Sequence, residues 1–259
     1  MRSLERIPQS LAELASLSPA EWQTRRDLAA CYRLTHRFGM SDLVSCHISA
    51  RIPNRPRSFL INQFGLLFDE VTASNLVEVD LEGRVLGPEG ARINPAGLVV
   101  HTAIYDARPD VACVLHTHSS AGAAVSMLED GLLPVSQFAL QFYHHLAYHD
   151  YEGIILDDGE RDRLVDDLGN AHAMILRNHG LLTVGRSVGE AFTLMHNLEQ
   201  ACEVQLRAMS SGARLRYLSE DLCRLTARQH ATFDGNDIGE TEWAALMRDI
   251  ERTAPECLR

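Results

Sequence analysis

No stretch of this 259-residue chain is apolar over the roughly 18 consecutive residues that a membrane-spanning helix needs. A block of basic residues is also missing, because 24 Lys and Arg stand against 35 Asp and Glu, a formal net charge of −11. An acidic chain without a basic cluster binds polyanions poorly, so we expect neither nucleic acid nor an anionic membrane as a partner. Residues 1–17 carry acidic side chains and no continuous apolar segment, which is not the pattern of a secretory signal.

The sequence also lacks closely spaced cysteines. Its six cysteines form no CxxC pair and lie far apart along the chain: Cys31, Cys46, Cys113, Cys202, Cys223 and Cys257. A chain of this length can bury a core large enough to fold without cross-links. We therefore expect reduced cysteines and a cytoplasmic protein.

Two helices have clear start signals. The tetrapeptides that begin at Ser18 and Ser187 both end in Glu and match the capping box. The first helix is predicted to run to about Phe38 and to end at Gly39. Two further helices are predicted at 97–107 and 158–168. The predicted strands are 43–51, 58–63, 77–80, 84–86, 111–118, 173–176 and 181–184.

This order of elements, with no break in composition, predicts an α/β domain in which helices cover both faces of one sheet. We divide the chain into three parts. Residues 1–20 are an N-terminal lead-in, and residues 21–212 are the main domain. Residues 213–259 are a C-terminal helical tail that packs on the same domain or on a neighbouring subunit.

Histidine is the abundant residue type, with 12 copies, and His116 and His118 carry the strongest local signal. Alternate residues of a strand point to the same face, so these two imidazoles are predicted to lie side by side. Two neutral imidazoles on one face can bind a divalent ion. Two surface histidines near a loop are the alternative interpretation.

A third histidine, His179, lies next to Gly180 in a turn between two predicted strands. A side chain at a strand end is held by a rigid scaffold and can project into a site. Taken alone, it is compatible with an ordinary turn histidine.

Together these segments resemble the class II aldolase/adducin head domain family, in its adducin-like bacterial branch. The matching segments are residues 94–97, 101–105, 107–111, 114–119, 131–134, 149–153 and 176–182. His118 and His179 lie about sixty residues apart, as they do in the family. The resemblance covers roughly residues 24–210.

The resemblance implies a three-layer α/β/α fold around a central, mostly antiparallel mixed sheet. It also implies a divalent metal ion, usually zinc, held by His116, His118 and His179. Imidazole binds iron and manganese as well, so these ligands do not identify the metal. Such an ion acts as a Lewis acid where aldol cleavage or decarboxylation builds negative charge on an enolate oxygen.

The chain departs from the sugar-phosphate aldolases of this family at their acid/base. These enzymes carry a catalytic Glu at the position of Gly97, and glycine can neither transfer a proton nor bind metal through a side chain. A family tyrosine that donates a proton aligns with Phe138. The sequence therefore predicts that another residue moves the proton.

The phosphate-binding loops differ too. They align with 46–47, 64–65 and 95–96, where only Gly65 is preserved. Phe64 and Pro95 replace small residues that donate hydrogen bonds to a phosphate dianion. A fuculose- or ribulose-phosphate aldolase is therefore not expected.

Two classes of function follow. The first is a metal-dependent lyase-type enzyme, for aldol cleavage or decarboxylation of a small non-phosphorylated substrate, with His47, Tyr143, His144 and His145 as candidate proton carriers. The second is a non-catalytic, adducin-like scaffold, against which the three histidines argue. A three-histidine iron oxygenase on the same fold is a further alternative.

Other residues near these motifs are interpreted structurally. Tyr151 and Glu152 are predicted to form a turn, and His101 is expected to pack behind the site.

The family implies a homotetramer with active sites at subunit interfaces. The wide apolar stripe of the helix that starts at Ser187 supports an oligomer.

Overall fold

The computed structural model describes residues 17–154, 158–232 and 238–259. Most of the predicted lead-in, residues 1–16, lies outside them. The helices are α1 (Pro19–Arg37), α2 (Pro95–Ala107), α3 (Ser120–Ser126), α4 (Gln137–Leu140), α5 (Asp158–Leu168), α6 (Val188–Ser210), α7 (Glu220–Thr232) and α8 (Glu240–Thr253). The strands are β1 (His47–Ile52), β2 (Arg55–Ile61), β3 (Val77–Asp80), β4 (Val85–Gly87), β5 (Cys113–Thr117), β6 (Leu146–His149), β7 (Ala173–Leu176) and β8 (Gly180–Gly185).

Within the described residues, the eight strands form one sheet in the order β4-β3-β2-β1-β5-β8-β7-β6. Every neighbouring pair is antiparallel except β6 and β7, which run parallel. The predicted mixed, mostly antiparallel sheet is therefore confirmed. Strands β1, β5 and β8 lie together in its middle. His47 and His116 lie in β1 and β5, His118 follows β5, and His179 precedes β8.

The core is split between the two faces of the sheet. Neighbouring residues of a strand enter opposite clusters, as pleating requires: Leu115 and Ile175 pack on one side, Val114 and Met174 on the other. Helices α1 and α6 supply the first cluster, which includes the fully buried Leu28 and Leu198. Helices α2 and α5 supply the second, with Ile104 and Leu164. The predicted α/β/α arrangement of three layers is confirmed.

Both predicted helix starts are observed. The Ser18 and Ser187 side chains accept hydrogen bonds from the backbone N–H groups of Glu21 and Glu190, at 3.1 and 3.0 Å. Each satisfies one N–H group that lacks a partner inside its helix. The first helix ends at Arg37, close to the predicted end.

Several boundaries differ from the prediction. The strand expected from residue 43 begins only at His47, because Leu43 has a positive φ of 43° and Ser45 N–H bonds Asp42 in a turn. The sequence analysis also missed β6 and the short helices α3 and α4, which have too few residues for a clear periodicity.

The C-terminal helices contact the main domain of the same chain. Helix α7 packs on α4, and α8 packs on α6, where Trp243 lies against Gly189. Ala73 and Ser74 donate backbone hydrogen bonds to Cys257 and Arg259. No helix among the described residues has the length and apolar character needed to cross a membrane.

Gly180 allows the close contact of β8 with β5. A Cβ at this position would overlap the Thr117 carbonyl oxygen and would lie 3.3 Å from His118 Cδ2. We expect Gly180→Ala to lower the free energy of unfolding by about 3 kcal/mol, the upper range for overpacking. Urea unfolding measures it, with Gly87→Ala as control because nothing lies within 4 Å of a Cβ there. Equal stability of the two variants would contradict this account.

Candidate metal centre

Two adjacent strands, β5 and β8, bring the predicted metal ligands to one end of the sheet. His116 lies in β5, where it pairs with His47 of β1 on one side and with Leu182 of β8 on the other. His118 follows the last residue of β5, and His179 precedes the first residue of β8. Antiparallel pairing places the end of β5 beside the start of β8, so the three imidazoles meet.

The three rings converge through their Nε2 atoms. His118 Nε2 lies 2.9 Å from His116 Nε2 and 2.8 Å from His179 Nε2. One nitrogen of each ring falls within 4.8 Å of those of the other two. The structure therefore brings together all three residues predicted as ligands, although two of them are about sixty residues apart in sequence.

The opposite ring nitrogens are held by acceptors. His116 Nδ1 lies 2.8 Å from the Leu181 carbonyl oxygen, which can only accept, so the proton of that ring is on Nδ1. His118 Nδ1 lies 3.1 Å from an Asp42 carboxylate oxygen. Both contacts leave Nε2 as a lone pair, as in metal-bound histidines. Sequence reasoning missed Asp42, which belongs to no recognisable motif.

The site disfavours positive charge on His116 and His179. Burial, with the neighbouring His47, His179 and His118 as further causes, holds the pKa of His116 well below its ordinary value. Burial first, and then His118 and His149, lower the pKa of His179 to about 4. The Nε2 lone pairs of His116 and His118 face each other at 2.9 Å and repel, and a cation between them would remove that repulsion. The donor set thus fits a divalent ion that accepts imidazole ligands.

His47 lies beside this cluster, in the space that the missing side chain at Gly97 leaves free. A Cβ on Gly97 would lie 2.7 Å from Cδ2 and 2.8 Å from Cγ of the buried His47 ring. The His47 and His116 ring centroids are 4.9 Å apart. The imidazole of His47 therefore occupies the space where a longer side chain at position 97 would begin.

A cavity of about 430 Å³ opens onto the cluster. His47, Asn94 and Ala96 line one part of it, and Tyr151 and Ile154 line another. The Tyr151 ring centroid is 6.5 Å from that of His179, so a residue interpreted from sequence as a structural turn borders the cavity. Glu152, next to it, pairs with Arg163 through two hydrogen bonds.

Tyr143, His144 and His145 do not border this cavity within one chain. The Tyr143 ring packs on His144 at a centroid distance of 4.1 Å. His145 lines another cavity, of about 410 Å³, with Asp110 and His172 at the opposite end of the sheet. Of the four predicted proton carriers, only His47 lies with the cluster, and a role for the other three stays a prediction.

The chain matches the family model "Class II Aldolase and Adducin N-terminal domain" over residues 26–206, and it belongs to that family. The crystal structure of an aldolase II superfamily protein from Pseudomonas syringae is 46% identical, with a TM-score of 0.90, over 96% of this chain and 100% of that one. An L-fuculose 1-phosphate aldolase from Glaciozyma antarctica PI12 is 30% identical, with a TM-score of 0.82, over 97% and 100% of the two chains.

An adducin is similar as well. Alpha-adducin of Rattus norvegicus is 44% identical over 241 residues, which are 88% of this chain and 33% of that protein. The family resemblance inferred from the motifs is confirmed. The specific reaction stays open, because proteins with different names share this domain.

We expect His118→Ala to abolish retention of a divalent metal, because the variant removes the ring that contacts both other ligands. Metal analysis of protein purified in the presence of Zn²⁺ measures the stoichiometry. His230→Ala is the control, since that histidine lies on α7, away from the cluster. Full metal occupancy in His118→Ala would refute the assignment.

Proposed function

We propose that this protein is a metal-dependent lyase-type enzyme that performs aldol cleavage or decarboxylation on a small, non-phosphorylated carbonyl or carboxylate substrate. The observation that carries the proposal is the convergence of the three Nε2 atoms at one end of a cavity. Zinc is the metal we propose first, and iron or manganese would suit the same imidazoles. The ion would supply a Lewis acid for the negative charge that develops on the substrate oxygen.

The composition supports a metal rather than an amine as the electrophile. All 24 basic residues are arginine, so no lysine side chain is present to form a Schiff base with a carbonyl substrate. Arginine stays protonated and cannot replace it. Stabilisation of an enolate in this domain would therefore depend on the groups around the histidine cluster.

The N-terminus of α2 supports a substrate without phosphate. This helix begins at the cavity, where N–H groups could hold an anion. The Asn94 side chain already accepts a hydrogen bond from Ala96 N–H at 3.1 Å, and Pro95 has no N–H to offer. The first donors of the helix are thus occupied or missing.

The reduced state of the thiols supports a cytoplasmic location. All six cysteines lie in the described ranges, and all are free and buried. Burial raises the pKa of the Cys31 thiol above its ordinary value, and Cys113 is affected in the same way. Such thiols are unreactive side chains of the core.

An adducin-like scaffold is the second candidate. The glycine at position 97 and the similarity to alpha-adducin favour it. The cluster argues against it, because the facing Nε2 lone pairs of His116 and His118 without an ion would destabilise the fold. Metal content of the purified protein distinguishes the two: about one divalent ion per chain supports the enzyme, and none supports the scaffold.

We expect little or no cleavage of L-fuculose 1-phosphate by the metal-loaded protein. Gly97 cannot transfer the proton through a side chain, and the first two residues of α2, Pro95 and Ala96, have no free N–H for a phosphate. A coupled assay for dihydroxyacetone phosphate measures the cleavage, with a fuculose-phosphate aldolase as positive control. Efficient turnover would overturn the proposed substrate class.

We also propose a homotetramer. Several apolar side chains that follow α6 are exposed in the single chain, including Tyr217 at 61% and Leu222 at 44%. A neighbouring subunit that covered them could also bring Tyr143, His144 or His145 to this cavity. Light scattering at micromolar concentration should give a mass about fourfold above 28.8 kDa. A mass near that of one chain would end the idea.

A further inference from the structure

Behind the His47 ring lies a continuous chain of buried hydrogen-bonding side chains. His47 Nδ1 is 2.7 Å from His101 Nε2, and His101 Nδ1 is 2.5 Å from Ser49 Oγ. Ser49 Oγ is 2.9 Å from the Tyr105 hydroxyl. All four residues are at most 4% exposed, so bulk water does not compete for these contacts.

Two secondary-structure elements align the chain. His47 and Ser49 are alternate residues of β1 and share a face of the sheet. His101 and Tyr105 are four residues apart on α2 and share a face of that helix. Helix α2 and strand β1 thus each contribute two of the four side chains, and the packing of α2 on β1 sets the order in which these side chains contact one another.

The rings in the chain are neutral. Burial lowers the pKa of His101 to about 3. A neutral imidazole has one N–H and one lone pair, so the two hydrogen bonds of His101 run in the same direction. Run from Ser49 towards His47, they leave N–H on His47 Nε2. Run the other way, they leave a lone pair on His47 Nε2 and make Ser49 Oγ the acceptor.

We propose that His101, held by Ser49 and Tyr105, is a positioning residue that fixes the His47 ring beside the histidine cluster, with Nε2 free to bind a substrate oxygen. This inference rests on the proposed function. His47 lines the cavity, and its Nδ1 is already occupied by His101. Gly97 leaves room for the His47 ring, so an imidazole from β1 takes the place of the absent side chain at position 97.

The first experiment measures ligand binding to Co²⁺-loaded protein, with oxalate as the probe of a carboxylate substrate. We expect His47→Phe and His101→Phe to weaken oxalate binding about tenfold, the usual effect of losing one hydrogen bond to a charged group. The affinity for Co²⁺ should not change. Visible absorption of Co²⁺ follows both equilibria. His196→Phe is the matched control, because this ring packs against Phe38 and Phe192 and lies outside the hydrogen-bonded row of side chains behind His47.

A second measurement does not require metal. In protein with ¹⁵N-labelled histidine, the nitrogen shifts should report a defined neutral tautomer of His47 in the wild type. Ser49→Ala and Tyr105→Phe, which remove only a hydroxyl each, should average these shifts by releasing His101. The two hydroxyl variants keep the test valid if His101→Phe does not fold.

The outcomes separate the inference from the proposed function. If wild-type protein binds no Co²⁺, the metal enzyme is refuted, and the ¹⁵N shifts still decide whether His101 orients His47. If Co²⁺ binds but oxalate binds equally well to wild type and His101→Phe, the positioning role is wrong. A fall of roughly 10- to 100-fold in Co²⁺ affinity in His101→Phe would also overturn it, since that is the effect of partners that support metal ligands.

Discussion

The histidine cluster depends on one backbone constraint, the antiparallel pairing of β5 with both β1 and β8. This register sets His116 opposite His47 on one side and beside the start of β8 on the other. The close approach of the strands at Gly180 lets His179 reach His118. A shift of one residue would turn His116 to the opposite face of the sheet, and the cluster would not form.

Burial then gives the cluster its chemical character. Burial makes positive charge unfavourable on His116 and His179, while the Leu181 carbonyl and Asp42 hold the ring proton of His116 and His118 on Nδ1. Lone pairs that face each other in a buried site repel, and a cation bound between them would be stabilised.

The resemblance implies a catalytic carboxylate at position 97, and in this chain the His47 imidazole is the polar group that lies in that place. Gly97 and His47 are complementary, because the ring fills the volume that a side chain on α2 would take. The ring is supported from behind by His101 rather than by solvent. A comparison of Gly97 alone with the aldolases would suggest a damaged site, whereas the pair of residues suggests a different one.

Local periodicity was sufficient to predict one face of β5 and the starts of two helices. Strand alternation placed His116 and His118 on one face, and the capping serines marked the starts of α1 and α6, since these features depend on neighbours within a few residues. The family motifs then implied the three layers. The sequence did not reveal, by contrast, that Tyr143, His144 and His145 lie away from the cavity, because they are close to the family motifs in sequence only.

Only the tertiary structure decided which distant residues meet. Asp42 reaches His118, His47 fills the space at Gly97, and His101 lies behind His47, all across at least fifty residues of sequence. Such contacts follow from sheet register and from the packing of α2 on β1, and no local pattern encodes either one. The sequence by itself determined the fold class and predicted the ligand residues, because both rest on short-range periodicity and family motifs, while the surroundings that set their chemistry required the folded chain.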